Sequence, residues 1–113
     1  MKQEYSKSVR RALRELAGIA YERELATHLE QLGARFDDWR HGEITAHDLS
    51  VSLHEFDRGD GKQIAVRYES LPPEMLVAQA VVADFISESE LPEKVATALG
   101  PKIEAMRQIN ALS

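Results

Sequence analysis

The sequence predicts an all-α protein: a compact domain of five or six helices built on one long amino-terminal helix. Two observations favour this fold class. The segment from about 6 to 39 has no proline and is rich in residues that favour helices. The segment 42–49 (GEITAHDL) carries the signals of one helix ending and another beginning. At 113 residues, we expect a single domain covering 1–113.

The composition is that of a globular protein, with 43% apolar and 29% charged residues. The net charge of −5 argues against nonspecific binding of nucleic acid. Because the chain has no cysteine, disulfides and thiolate metal sites are excluded, and we expect a cytoplasmic location. The most apolar run, 75–86, is too short to span a bilayer. We also expect no cofactor, and no small-molecule ligand is evident.

The apolar face of the long first helix changes partway along. Val9, Leu13, Leu16 and Ala20 fall on one stripe, and Tyr21, Leu25, Leu29, Leu32, Phe36 and Trp39 fall on nearly the opposite side. Either the chain breaks between about 18 and 24, or the two halves bury opposite faces against different neighbours. We favour the second interpretation, because 14–29 otherwise reads as uninterrupted helix.

The first stripe therefore needs a neighbour, and two are open. One is a second copy of the chain, in which case the protein is a homodimer with these four side chains as its contact. The other is the carboxyl-terminal helices of the same chain.

The corner after this helix has a specific pattern. Gly42 suits the left-handed residue just past a helix end. Thr45 is a good N-cap, and Asp48 three residues later can complete a variant capping box. Ile44 and Leu49 have the spacing of a hydrophobic staple.

The next helix is predicted at about 45–57, with Leu49, Leu53 and Phe56 on its inner face, and 58–61 ends it. In 62–69, Ile64 and Tyr68 fit either a strand or a helix. We predict a helix, because nothing else in the chain resembles a partner strand.

Prolines divide the remaining chain. Pro73 opens a helix that runs to about 86 and is apolar nearly all round, which places it in the middle of the fold. Pro92 starts a short helix that ends at Gly100, and Pro101 starts the last helix.

A metal site is one candidate for function. The segment that begins at His54 (HEFDR) resembles the opening of a zinc-protease pattern, but Arg58 stands where that pattern has its second histidine. His47, His54 and Asp57 could still share one side of the helix, with Asp60 following, and act in a metal-dependent hydrolase. Alternatively, His54 only hydrogen-bonds Asp57 or caps the end of a neighbouring helix.

The segment 37–48 can also be aligned with a calcium-binding loop. Its frame fits, but Trp39 and His41 occupy ligand positions, and Asp48 replaces the bidentate glutamate. We expect no calcium binding.

The start of the first helix is basic, with Lys7, Arg10, Arg11 and Arg14. These residues could be a solvated face, contact acidic residues of another protein, or bind phosphates as a nucleic-acid accessory protein, and we favour these interpretations in that order. No phosphate-binding loop, Gly-x-Ser-x-Gly motif or cysteine nucleophile is present. We therefore expect a non-enzymatic protein that interacts with other proteins or with itself.

Three segments together resemble a family of small bacterial proteins of unknown function: RELAGIAYEREL at 14–25, FxxWxxGEI at 36–44 and HEF at 54–56. The resemblance covers about residues 9–100. It implies a helical, cytoplasmic, bacterial protein, and it supports a helix at 62–68. It carries over no functional residues.

Overall fold

A computed structural model describes residues 5–112, and it confirms the all-α prediction. Within that range the chain forms five α-helices, one short 3-10 helix and no strand. The elements are α1 (Lys7–Arg40), α2 (Ala46–Arg58), α3 (Asp60–Ser70), α4 (Pro73–Val82), the 3-10 helix Glu88–Glu90 and α5 (Glu93–Ala111). None of the helices in this range has both the length and the hydropathy needed to cross a membrane.

The chain divides into two compact units. The terminal unit combines Met1–Ala20 with Leu71–Ser113, and the central unit is Tyr21–Ser70. Helix α1 is continuous over 34 residues and contributes its first half to the terminal unit and its second half to the central unit. The prediction of an unbroken helix is therefore confirmed, and the apolar face changes where α1 passes from one unit to the other.

The terminal unit holds most of the hydrophobic core. Of the seventeen buried apolar side chains among the described residues, fifteen belong to it. They are Val9, Leu13, Leu16, Ala17 and Ala20 of α1, Leu76, Val77, Ala78, Ala80 and Val81 of α4, Ile86, Leu91, and Val95, Leu99 and Ile103 of α5. Helix α4 contributes five of its ten residues, as its nearly continuous apolar sequence predicts.

Helix α4 ends at Val82, four residues before the predicted end. The reason is a Schellman turn in which Asp84 takes the left-handed conformation, at φ 66°. The Phe85 N–H donates to the Ala80 carbonyl at 2.8 Å, and the Asp84 N–H donates to the Val81 carbonyl at 3.2 Å. Aspartate tolerates this conformation better than most residues but is a weaker sequence signal for it than glycine.

The prediction of two helices separated at Pro101 is wrong, because α5 runs through that proline. A residue before proline usually avoids the helical conformation, since its own Cβ collides with the proline ring. Gly100 has no Cβ and so escapes most of that penalty. Leu99 and Ile103 are both buried, and their packing holds the helix on either side of the proline.

The corner between α1 and α2 in the central unit has the predicted structure. Gly42 has φ 75° and the Glu43 N–H donates to the Asp38 carbonyl at 2.8 Å, which closes a Schellman turn. The Thr45 hydroxyl accepts from the Asp48 N–H at 3.0 Å, and the Thr45 N–H donates to the Asp48 carboxylate at 3.1 Å. The capping box fixes the start of α2.

The break between α2 and α3 is shorter than predicted and consists of Gly59 alone. A Cβ at this position would lie 2.8 Å from the Glu55 carbonyl oxygen, so the corner requires glycine. Helix α3 then starts at Asp60, and the helix predicted at 62–69 is confirmed.

Candidate functional site

The four side chains predicted as a dimer contact lie in the core of the terminal unit. Leu13 is 1% exposed, Ala20 is fully buried, and Val9 and Leu16 are also buried. This burial supports the alternative in which the first stripe packs against helices of the same chain. Little of the surface of these four side chains is left for a second copy to contact.

The predicted metal ligands do not form a metal site. His47, His54 and Asp57 are exposed on α2, and the Asp60 carboxylate lies instead 3.6 Å from Nδ1 of His28. Among residues 5–112, no three His, Asp or Glu side chains are grouped in a way that could hold a metal ion.

The basic residues at the start of α1 do lie together. Lys7, Arg10, Arg11 and Arg14 are exposed and, with Ser8, line an open cleft of about 450 Å³. Arg11 is paired with Glu15 across one helical turn, at 3.5 Å. Since all of these charges are solvated, the cleft has the character of a helix surface rather than of a built binding pocket.

A buried ion-pair network lies in the central unit, and no motif in the sequence predicts it. Glu24 of α1 is the one charged side chain among the described residues that is buried. Its carboxylate accepts two hydrogen bonds from the guanidinium of Arg67, one of them at 3.0 Å, and a third from the hydroxyl of Tyr68 at 3.0 Å. The Tyr68 ring stacks on Tyr21, with ring centroids 4.8 Å apart. These contacts fix α3 against the second half of α1.

The network changes the protonation of its members. Burial raises the pKa of Glu24, but the hydrogen bonds from Arg67 and Tyr68 and the charges of Arg67 and His28 outweigh burial and leave that pKa below its ordinary value. Burial and the neighbouring carboxylate together raise the pKa of Tyr68. The hydrogen bonds to Glu24 raise the pKa of Arg67. At neutral pH the site is therefore a salt bridge beside a neutral tyrosine, an arrangement that stabilises the packing of α3 on α1.

The same side of α1 makes two further polar contacts in the central unit. His28 lies near Asp60, as described above, and the Nε of Arg35 donates to the hydroxyl of Ser52 at 3.2 Å. His28 lies four residues after Glu24, and Arg35 lies seven residues after His28. These spacings place the three side chains on one side of the helix, which we call the polar stripe. The second half of α1 thus makes these polar contacts with α2 and α3 through one stripe, beside the stacked rings of Tyr21 and Tyr68.

Three apolar side chains of this half lie next to the polar stripe, whereas half-buried Leu32 lies within it, four residues after His28. Each of the three directly follows a residue of the polar stripe in the sequence: Leu25 follows Glu24, Leu29 follows His28, and Phe36 follows Arg35. One residue corresponds to a rotation of about 100° about the helix axis, so these apolar side chains lie beside the stripe. Leu25 and Phe36 are only half-buried, and Leu29 is 49% exposed. In the whole central unit, Leu49 and Ile64 are the apolar side chains that are buried.

The uncovered surface of α1 has a regular spacing. We define the open face of α1 as Glu22, Ala26, Leu29, Gly33, Phe36 and Arg40, of which all except half-buried Phe36 are exposed. A Cβ built on Gly33 would have no atom within 4 Å, so the space above it is empty. The apolar atoms of this face belong to exposed Leu29 and Ala26 and half-buried Phe36, which alternate with the open position at Gly33.

No protein-family model, curated protein or solved structure matches the chain.

The sequence contained a signal for part of this site. Leu29 and Phe36 stand on the second apolar stripe that the pattern identified, but the pattern could not show that the stripe would remain partly uncovered. Glu24 sits at helical spacing between Tyr21 and His28, and a charged residue in that position calls for a buried partner. Nothing in a single sequence identifies that partner as Arg67.

Proposed function

We propose that this protein is a non-enzymatic self-assembly module whose central unit associates with the central unit of a second copy through the open face of α1. The observation that carries this proposal is the arrangement of the second half of α1. Its polar stripe and the Tyr21 ring make the contacts with α2 and α3 described above, and its apolar side chains remain half-buried or exposed.

The hydrophobic effect supplies the driving force. Removing apolar surface from water is worth about 25 cal/mol per Å², and Leu29 still exposes 49% of its surface. The open face spans nineteen residues, which is about 27 Å of helix at 1.5 Å per residue. A single helix pair of this length makes a small interface, so we expect a dissociation constant of about micromolar order.

The sequence also predicts self-assembly, but through the first half of α1, whose apolar stripe is buried within the chain. We therefore place the contact in the second half of α1. We place the assembly in the bacterial cytoplasm, in line with the absence of cysteine and with the resemblance noted above.

Sedimentation velocity and light scattering from low to high micromolar concentration test the proposal. The wild type should change from monomer to dimer over this range. Leu29→Lys should stay a monomer with unchanged helicity, because it places a charge in the contact but not in the core. Val66→Lys is the matched control, since Val66 of α3 is likewise 49% exposed but lies outside the open face. A wild type that remains monomeric throughout, or equal loss of dimer in both variants, would contradict the proposal.

A further inference from the structure

We propose that the two copies pair antiparallel through their open faces, about a two-fold axis that passes α1 at residue 31. Leu29 of each copy then faces Gly33 of the other, Phe36 faces Ala26, and Glu22 faces Arg40. This geometry rests on the proposed function, and it adds the orientation and register of the contact.

The spacing of the open face is that of a helix–helix seam. Its six residues follow one another in steps of four, three, four, three and four. The five steps average 3.6 residues, so the six residues lie on one side of a straight α-helix. Alternating steps of four and three are also the spacing of the contact positions in a helix–helix seam. The seam runs along a side of α1 on which every residue except half-buried Phe36 is exposed.

The sizes of the side chains favour the antiparallel orientation. Each of the four central layers then combines one large and one small residue, Leu29 with Gly33 or Phe36 with Ala26. A parallel pair in register would instead set Gly33 against Gly33, which leaves a void, and Phe36 against Phe36. Interiors pack at close to crystal density, so the arrangement that alternates large and small residues is the better filled.

The charges at the two ends favour the same orientation. Glu22 and Arg40 are eighteen residues apart, or five turns at about 3.6 residues per turn, so they lie on the same side of α1. An antiparallel pair brings these opposite charges together at both ends, whereas a parallel pair sets like charges against each other. The guanidinium of Arg40 lies 5.8 Å from the Phe36 ring centroid and 2.9 Å from the Asp37 carboxylate, which holds it at the end of the open face.

Charge reversal tests the register. Glu22→Arg and Arg40→Glu should each weaken the dimer about tenfold, because either change turns two attractive pairs into repulsive ones. The double variant should return to within about threefold of the wild type, because the pairs are restored with their signs exchanged. Sedimentation equilibrium measures the constants, and circular dichroism confirms that each variant keeps its helices.

The outcomes separate this inference from the proposed function. A wild type that dimerises, with single reversals that leave affinity unchanged or increase it, overturns the antiparallel register but leaves self-assembly standing. A wild type that does not dimerise overturns both.

A second variant tests the close approach at Gly33. Gly33→Gln fits the single chain, because no atom lies within 4 Å of the added Cβ, and it should raise the melting temperature by removing a helical glycine. In the dimer the glutamine would fill the space meant for Leu29, so association should weaken at least tenfold. Ala34→Gln adds the same side chain one residue further round the exposed surface and should leave the dimer intact. Equal affinity in the Gly33 variant and the wild type would refute the geometry.

Discussion

Removing Arg67 should destabilise the central unit more than removing any exposed arginine. In Arg67→Met, the Glu24 carboxylate keeps the hydrogen bond from Tyr68 but loses both bonds from the guanidinium. The side chain of Glu24 is only 10% exposed, so water cannot replace the lost donors. Methionine preserves most of the apolar length of the arginine, so the change acts mainly on the charge.

The expected magnitude follows from the burial of the pair. Breaking a buried ion pair by removing one partner costs about 3–5 kcal/mol. The Arg67 side chain is 33% exposed, which places this pair at the lower end, and we expect a loss of about 3 kcal/mol in the free energy of unfolding. The melting temperature should fall by more than about 10 °C. Arg40→Met is the control, because the Arg40–Asp37 pair is exposed on both sides and is worth less than about 1 kcal/mol.

The loss should depend on pH in a definite direction. In the wild type the pKa of Glu24 lies below its ordinary value of 4.5, so its stabilising contribution is complete above that pH and is lost as the pH falls further. Without Arg67, burial raises the pKa of Glu24, so the variant gains stability as the carboxyl takes up a proton in mild acid. The difference between variant and wild type should therefore shrink from neutral pH towards the ordinary pKa.

Urea unfolding at several pH values, followed by circular dichroism, measures these quantities. The double variant Glu24→Leu with Arg67→Met should recover most of the lost stability, because it leaves no charge unpaired. The reasoning is refuted if Arg67→Met costs no more than the Arg40 control, or if its cost is the same in mild acid as at neutral pH.

Three further predictions concern the helices. Thr45→Ala removes the capping box of α2 and should cost about 1 kcal/mol in urea unfolding, whereas Ser50→Ala, on the exposed side of α2, should change stability by less than about 0.5 kcal/mol. Leu13→Ala should lower the free energy of unfolding by about 2–5 kcal/mol without weakening the dimer, because Leu13 is buried in the core. Ile19→Ala is the exposed control and should change neither stability nor dimerisation. A weakened dimer in Leu13→Ala would return the contact to the first half of α1. Pro101→Ala should raise the free energy of unfolding by up to about 3 kcal/mol, because it restores a hydrogen bond within α5; an unchanged melting temperature would contradict this.

Local signals in the sequence predicted the elements whose geometry depends on nearby residues. Gly42, Thr45 and Asp48 define the corner before α2, and all three have their expected roles, since each bond they make spans at most a few residues. The end of α4 was misplaced because Asp84 closes the turn in place of the more usual glycine. The break at Pro101 was wrong because burial on both sides outweighs a local preference.

The candidate site depended on information that is not local. The change of apolar face along α1 was visible, but the pattern gave no preference between a second copy and the same chain as the neighbour of the first half. Burial of Leu13 and Ala20 in the terminal unit answers that question for the first stripe. The Glu24–Arg67 pair spans 43 positions of sequence, and no periodicity within α1 could reveal it.

That pair also explains why an apolar surface remains uncovered on α1. A buried carboxylate needs its donors at fixed positions, so Glu24 sets how α3 packs against α1 more strictly than an apolar contact would. With α3 held by this pair, Leu29 is left 49% exposed. The polar contacts that place α3 on α1 thus leave the open face beside them exposed. The steps of four and three residues along that face suit it to pairing with a second α1.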